Sequence, residues 1–133
     1  MQKSQPGDKK IFLTKKFTFD AAHKLLNHKG KCKNLHGHTY GLEVTVEGEV
    51  DESTGMIMDF DDMKEIVESS VLEKLDHQYI NDIVQISTAE NIIQWMWERL
   101  FERFKEHNVR LFMLKLGETP SSFVTYKLEK YEN

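Results

Sequence analysis

From Ile11 onward, apolar and polar positions alternate. Ile11, Leu13, Phe17, Phe19 and Ala21 share one parity, while Thr14, Lys16 and Thr18 share the other. A period of two describes a strand with one buried face, here interrupted by Lys15. A second strand is cleaner: Tyr40, Leu42, Val44, Val46 and Val50 stand at even positions, and Thr39, Glu43, Thr45, Glu47 and Glu49 at odd ones. Asp51-Glu-Ser-Thr-Gly55 then supplies turn chemistry. A helix follows, with Asp59 as its N-cap and Phe60, Met63, Val67, Val71 and Leu75 as its apolar stripe. A loop through 76–86 leads to Ser87-Thr-Ala-Glu90, the pattern of a capping box. Behind it Ile93, Trp97, Leu100, Phe101 and Phe104 fall on one helical face. Leu111–Leu116 and Phe123–Leu128 read as two further strands, joined through Gly117–Ser122.

The order ββααββ predicts an α+β fold: an antiparallel four-stranded sheet with two helices on one face. Such a sheet leaves two edges and one broad face to be covered, which predicts assembly of several chains. Residues 1–10 are polar and read as a flexible leader, and 11–133 as a single domain without repeats or linkers.

Composition narrows the function classes. The chain has 133 residues, which suits one domain, and 22 acidic against 18 basic residues give a net charge of −4, the opposite of a general nucleic-acid binder. No apolar run approaches a membrane span, and the first ten residues lack the apolar core of a signal peptide. A single cysteine, Cys32, excludes an internal disulfide. The expectation is a soluble, cytoplasmic protein with no nucleic-acid or membrane partner.

Several residues carry candidate chemistry. His36-Gly-His38 enters the second strand on the parity of Tyr40, so both imidazoles share a face. His23 ends the first strand on the parity of Phe19. If the two strands form a hairpin, the three histidines meet near its connection and leave a fourth zinc position open, as in catalytic sites. Gly37 is expected to let the backbone approach closely between them. Cys32, between Lys31 and Lys33, suits a thiolate base or nucleophile. A fourth zinc ligand and an uninvolved surface thiol are the competing readings. Asp76-His77 pairs a carboxylate with an imidazole, either as a proton relay or as solvated loop. Glu118, after a strand, could bind a cationic or amide-like edge or face water. Glu90 has a capping role of its own. Between Ala21 and Leu42 there is no acid, but Lys24, Lys29, Lys31 and Lys33 are present. This cationic stretch fits either an anionic, phosphate-bearing substrate or a solvated loop.

Together these residues resemble the 6-pyruvoyltetrahydropterin synthase family, and within it the bacterial branch of 6-carboxytetrahydropterin synthases of queuosine biosynthesis. The resemblance runs from about Phe12 to the C-terminus. It rests on Phe19-Asp-Ala-Ala-His23, Cys32-Lys-Asn-Leu-His-Gly-His38-Thr-Tyr40, Leu75-Asp-His-Gln-Tyr-Ile-Asn-Asp82, Ser87-Thr-Ala-Glu-Asn91 and Gly117-Glu118-Thr119. The Cys-x-x-x-His-Gly-His spacing resembles the queuosine enzyme, whereas biopterin-pathway synthases carry a longer gap and related paralogues a glutamate in place of the cysteine. The resemblance implies Zn2+ on His23, His36 and His38, and Cys32 as proton acceptor. It also implies Asp76 and His77 as the relay and Glu118 as the pterin anchor. Thr88 falls where the family contacts the pterin from a neighbouring subunit, and Ala89 departs from a second threonine of some members.

The implied fold is the tunnelling fold, with trimers closing a barrel and two trimers stacked into a homo-hexamer. The implied reaction converts 7,8-dihydroneopterin triphosphate to 6-carboxy-5,6,7,8-tetrahydropterin, acetaldehyde and triphosphate. Two other readings stand beside it. One is a 6-pyruvoyltetrahydropterin synthase, which stops before side-chain cleavage. The other is a zinc-stabilised oligomeric binding protein without turnover.

Overall fold

The structure, a computed structural model, describes residues 10–25 and 34–129. Cys32, Lys29, Lys31, Lys33 and all of the expected leader but Lys10 lie outside the described residues. The α+β class is as expected: strands β1 (Ile11–His23) and β2 (His36–Gly48), helix α1 (Phe60–Val67), strand β3 (Gln78–Tyr79), helix α2 (Ala89–Lys105), and strands β4 (Arg110–Thr119) and β5 (Ser122–Lys127). The sheet differs from the expected four antiparallel strands by β3, a two-residue strand paired parallel to β1 at Ala21 and Ala22. The order across the sheet is β3-β1-β2-β4-β5.

β1 and β2 form the hairpin that the histidine argument required. They pair antiparallel without a slip, from Ile11 opposite Gly48 to His23 opposite His36. β2 pairs with β4 through a bulge at Thr45/Val46, and β4 pairs with β5. Alternation then sorts the faces, except that Thr45 and Glu47, on the polar parity, are also buried. Tyr40, Leu42, Val44 and Val46 are buried against Leu111, Leu114 and Leu116 and against both helices in one core. Thr18, Asp20 and Thr39 on the other face are exposed. At the end of β2, a Cβ on Gly48 would come within 2.8 Å of Ile57 Cγ2, so glycine permits the chain beyond the turn to fold back there. Val50, placed on the second strand by its parity, lies past the strand's end and is exposed.

Asp59 caps α1 as expected, its carboxylate accepting from Asp61 N–H at 2.7 Å. The stripe Met63, Val67, Val71 and Leu75 is buried, but Phe60 is exposed. A four-residue spacing drifts by about 40° per step on a regular α-helix. The chain absorbs this drift by passing from α1 through a π-helical turn, Glu68–Leu72, into a last α turn, Glu73–Leu75. The wider turn is held by α2: Arg99 Nε donates to Ser70 O at 2.7 Å and Arg103 Nη1 to Ser70 Oγ at 3.0 Å. On its other side α2 is tied to β5 by Trp97 stacked on Tyr126, ring centroids 4.4 Å apart.

Candidate active site

The hairpin register sets the first cluster. His23 stands directly opposite His36, and His38 lies opposite Ala21, so the three rings gather on one face at the end of the sheet. Ring centroids are 4.5 Å apart for His23–His36, 5.2 Å for His23–His38 and 4.8 Å for His36–His38. One ligand nitrogen from each lies within 4.8 Å of the others, close to the ~4 Å span of two zinc–nitrogen bonds.

Hydrogen bonding decides which nitrogens face inward. His23 Nδ1 meets Ser87 O at 2.7 Å and His36 Nδ1 meets Asn34 O at 2.8 Å. A carbonyl only accepts, so each Nδ1 carries a proton, and a neutral ring in this tautomer keeps the free lone pair on Nε2. His23 Nε2 and His38 Nε2 are buried without hydrogen-bond partners among the described residues. Burial, the largest influence, also holds the pKa of His23 and His38 below 6.5, so both rings are neutral at pH 7. Three convergent ligand nitrogens, with two rings held by Nδ1 contacts to carbonyls and two Nε2 atoms buried without a partner among the described residues, fit a divalent metal such as zinc. Gly37 plays no part in this closeness: a Cβ there would meet Ala21 O at 3.6 Å, an ordinary contact.

Two further residues complete the ring of groups. Glu118 lies within β4 rather than after a strand, and its Oε2 stands 4.0 Å from His38 Nε2. Tyr40, packed against His23 and His38, is fully buried, and its hydroxyl has no hydrogen-bond partner among the described residues. Burial first and the Glu118 charge second push its pKa up, so it remains a neutral O–H.

Asp76 and His77 form a second group. Adjacent side chains on a strand would point apart, but this pair is not on a strand. Asp76 is the extended residue closing the helix, and His77 has φ = 60°. The left-handed residue turns its ring back, so Asp76 Oδ1 lies 3.1 Å from His77 Nδ1. β1 clamps the pair: Asp20 N–H donates to Asp76 Oδ1 at 3.0 Å, and His77 N–H donates to Asp20 O at 2.5 Å.

His38 and His77 line the same cleft, about 770 Å3, with Asp20, Lys24, Thr39 and Tyr79 among its other walls. The histidine cluster, Asp76-His77 and Glu118 are thus brought to one end of the sheet. Thr88 stands immediately before α2. It is the N-cap of α2, accepting from Asn91 N–H at 3.2 Å, so the cap falls one residue later than the expected Ser87–Glu90 box. Glu90 is exposed. Sequence reasoning missed the carbonyls of Ser87 and Asn34, because a backbone acceptor leaves no residue-type signal.

A family model described as 6-pyruvoyl tetrahydropterin synthase matches residues 12–129. The chain is 36% identical over 134 residues to a 6-pyruvoyl tetrahydrobiopterin synthase of Dictyostelium discoideum, covering 90% of this chain and 97% of that one. It is 35% identical over 140 residues to a 6-carboxy-5,6,7,8-tetrahydropterin synthase of Haemophilus influenzae, covering 86% and 97%. The solved structure of Caenorhabditis elegans 6-pyruvoyl tetrahydropterin synthase superposes with a TM-score of 0.79 at 30% identity, covering 91% and 97%.

Proposed function

The chain belongs to the 6-pyruvoyl tetrahydropterin synthase family, and from that membership we propose that it is a zinc-dependent 6-carboxytetrahydropterin synthase of queuosine biosynthesis. With water, it converts 7,8-dihydroneopterin triphosphate to 6-carboxy-5,6,7,8-tetrahydropterin, acetaldehyde and triphosphate, a lyase reaction. The observation that carries the reading is the set of three histidines with convergent ligand nitrogens beside a cleft that also holds His77. The Cys32-x-x-x-His36 spacing supports the carboxy branch over the pyruvoyl one.

His23, His36 and His38 hold the zinc, which when bound supplies Lewis acidity to the hydroxyl-bearing side chain of the substrate. Cys32, as thiolate, takes protons from the side-chain carbons. His77, oriented by Asp76, handles the opposite transfers. Glu118 accepts hydrogen bonds from the amino-pyrimidine edge of the pterin, and Thr88 adds a contact from a neighbouring subunit. Lys24, on the cleft wall, faces the triphosphate with its ammonium group.

The active particle is a homo-hexamer built from the 11–133 domain. Support comes from the outer edge of β5, which has no further strand beside it among the described residues, and from exposed Phe12 and Phe123 on the sheet face away from the helices. No helix among the described residues is long and apolar enough to cross a membrane, and the reading places the protein in the cytoplasm.

The similar identities to the Dictyostelium and Haemophilus enzymes keep a second reading, the 6-pyruvoyl synthase, in play. Incubation with 7,8-dihydroneopterin triphosphate and mass analysis of the products separates the two, since only the carboxy enzyme releases acetaldehyde. No pterin product at all would leave a zinc-stabilised binding protein. Cys32→Ala should keep its zinc and lose on the order of a hundredfold in turnover. Loss of zinc along with activity would make Cys32 a ligand instead.

A further inference from the structure

We propose that Asn81 is a positioning residue for the metal centre, acting through Ser87 and the end of β1 on the His23 ligand. This rests on the reading of the three histidines as a metal site. Asn81 stands in the 3-10 turn after β3, a chain segment that contributes no side chain to the histidine cluster. Its amide makes four hydrogen bonds. Asn81 Oδ1 accepts from Lys24 N–H at 2.9 Å and from Ser87 Oγ at 3.1 Å, and Asn81 Nδ2 donates to Lys24 O at 2.9 Å and to Gln85 O at 2.9 Å. The partners fix the orientation of the amide. Lys24 N–H can only donate and the two carbonyls can only accept, so a flipped amide would oppose three of the four contacts. The two donors and two acceptors of the side chain are all used.

These bonds converge on His23 from two sides. Lys24 is the residue after His23, and the Asn81 amide holds its backbone N–H and C=O together, as a strand partner would. Ser87, fully buried, presents the carbonyl that accepts from His23 Nδ1–H. Asn81 therefore fixes both the chain that carries the imidazole and the acceptor that sets its tautomer. Outer partners of metal-binding histidines act in this way, and their loss typically weakens metal affinity by about 10- to 100-fold. Ordinary loop anchoring would predict lower stability with an unchanged metal centre.

The test is competition for Zn2+ between a chromogenic chelator and the purified full chain, together with the visible spectrum of the Co2+-loaded protein. Asn81→Ala and Asn81→Leu should each bind one zinc at saturation, about 10- to 100-fold more weakly than the unaltered chain, with a changed cobalt spectrum. Asn81→Asp keeps both acceptor bonds and loses both donor bonds. It should lose less than about tenfold in affinity and fall between the others and the parent in its spectrum. If the first two variants do not fold, Asn81→Asp decides. Parental affinity and spectrum in any folded variant, even at a lowered melting temperature, would overturn the positioning role. If the unaltered chain binds neither zinc nor cobalt, the metal reading falls and this inference with it, an outcome visible before any variant is made.

Discussion

One face of β2 runs from His38 through Tyr40, Leu42 and Val44 to Val46, and its two ends use burial in opposite ways. At the Leu42–Val46 end, side chains with no polar atoms are removed from water, each contributing about 1.5–3 kcal/mol. At the His38–Tyr40 end, burial strips His23 Nε2, His38 Nε2 and the Tyr40 hydroxyl of water and gives them no hydrogen-bond partner among the described residues. Each such orphan costs about 1–3 kcal/mol. The same strand thus joins a region that stabilises the fold to one that draws on it, and the second region is where a ligand would satisfy the missing bonds.

Substitutions that act on one end and spare the other can break this contrast. The largest effect belongs to the apolar end. Leu100→Ala, in the fully buried stripe of α2, should lower unfolding stability by about 2–5 kcal/mol in urea titrations, while the folded protein still binds one zinc. Loss of zinc stoichiometry at native conditions would show that the two ends are not separable.

The opposite variant is His36→Ala. Zinc at a hundred times its Kd should add about 2.7 kcal/mol to the stability of the parent chain. In His36→Ala that gain should vanish while metal-free stability stays close to the parent's. A persistent zinc-dependent shift in melting temperature would reject His36 as a ligand.

A finer comparison uses the two helix caps. Asp59→Ala and Thr88→Ala should each cost about 1 kcal/mol. Only Thr88→Ala, next to the Ser87 carbonyl that holds His23, should also weaken zinc in the chelator competition. Equal zinc affinity in the two variants would show that the Thr88 cap does not bear on the contact between Ser87 and His23.

Acid gives the smallest and most graded contrast. In the metal-free chain the pKa of His23 and His38 is depressed below 6.5, chiefly by burial, so the unfolded chain binds more protons. Their contribution to stability is complete above pH 6.5 and is lost as the pH falls below it. Asp51, in the turn after β2, is held below 3.8 by the Ser53 hydroxyl first and then by the Ser53 and Thr54 N–H groups. Its contribution is present above 3.8 and fades only as the pH drops further. Urea midpoints measured from pH 7 down to 3 should therefore begin to fall near 6.5, and Asp51→Ala should flatten the curve only at its acid end. No change between pH 7 and 5 would contradict the histidine share.

What could be read from sequence follows from the range of the interactions involved. The histidine cluster was legible because strand parity is local and one hairpin brings the two parities into register. The Asp59 cap was legible because its carboxylate serves an N–H two residues away. The cap of α2 was not, because Ser87 and Thr88 both carry hydroxyls. The choice falls to distant groups: Asn81 takes the Ser87 hydroxyl and His23 its carbonyl. Phe60 was misplaced because it is the first residue of α1 and stands at the edge of the face that Met63, Ile66 and Val67 bury. The meeting of Asp76 with His77 depends on a left-handed histidine, which no periodicity announces. β3 escaped because two residues are too few to alternate.

That short strand has a consequence for ring closure. It lies on the outer edge of β1 only at Ala21 and Ala22, so the edge from Ile11 to Asp20 has no neighbouring strand among the described residues. A strand from another copy of the chain can run along that edge, but it must stop where Gln78 and Tyr79 already sit. β3 therefore works as an end-stop. In the proposed hexamer it would fix the stagger between adjoining chains, and with it the tilt and diameter at which a closed barrel can form. It would also keep the incoming strand from sliding over Asp76 and His77. A slip of two residues, which alternation alone would tolerate because it preserves the faces, is forbidden in one direction by a piece of backbone two residues long.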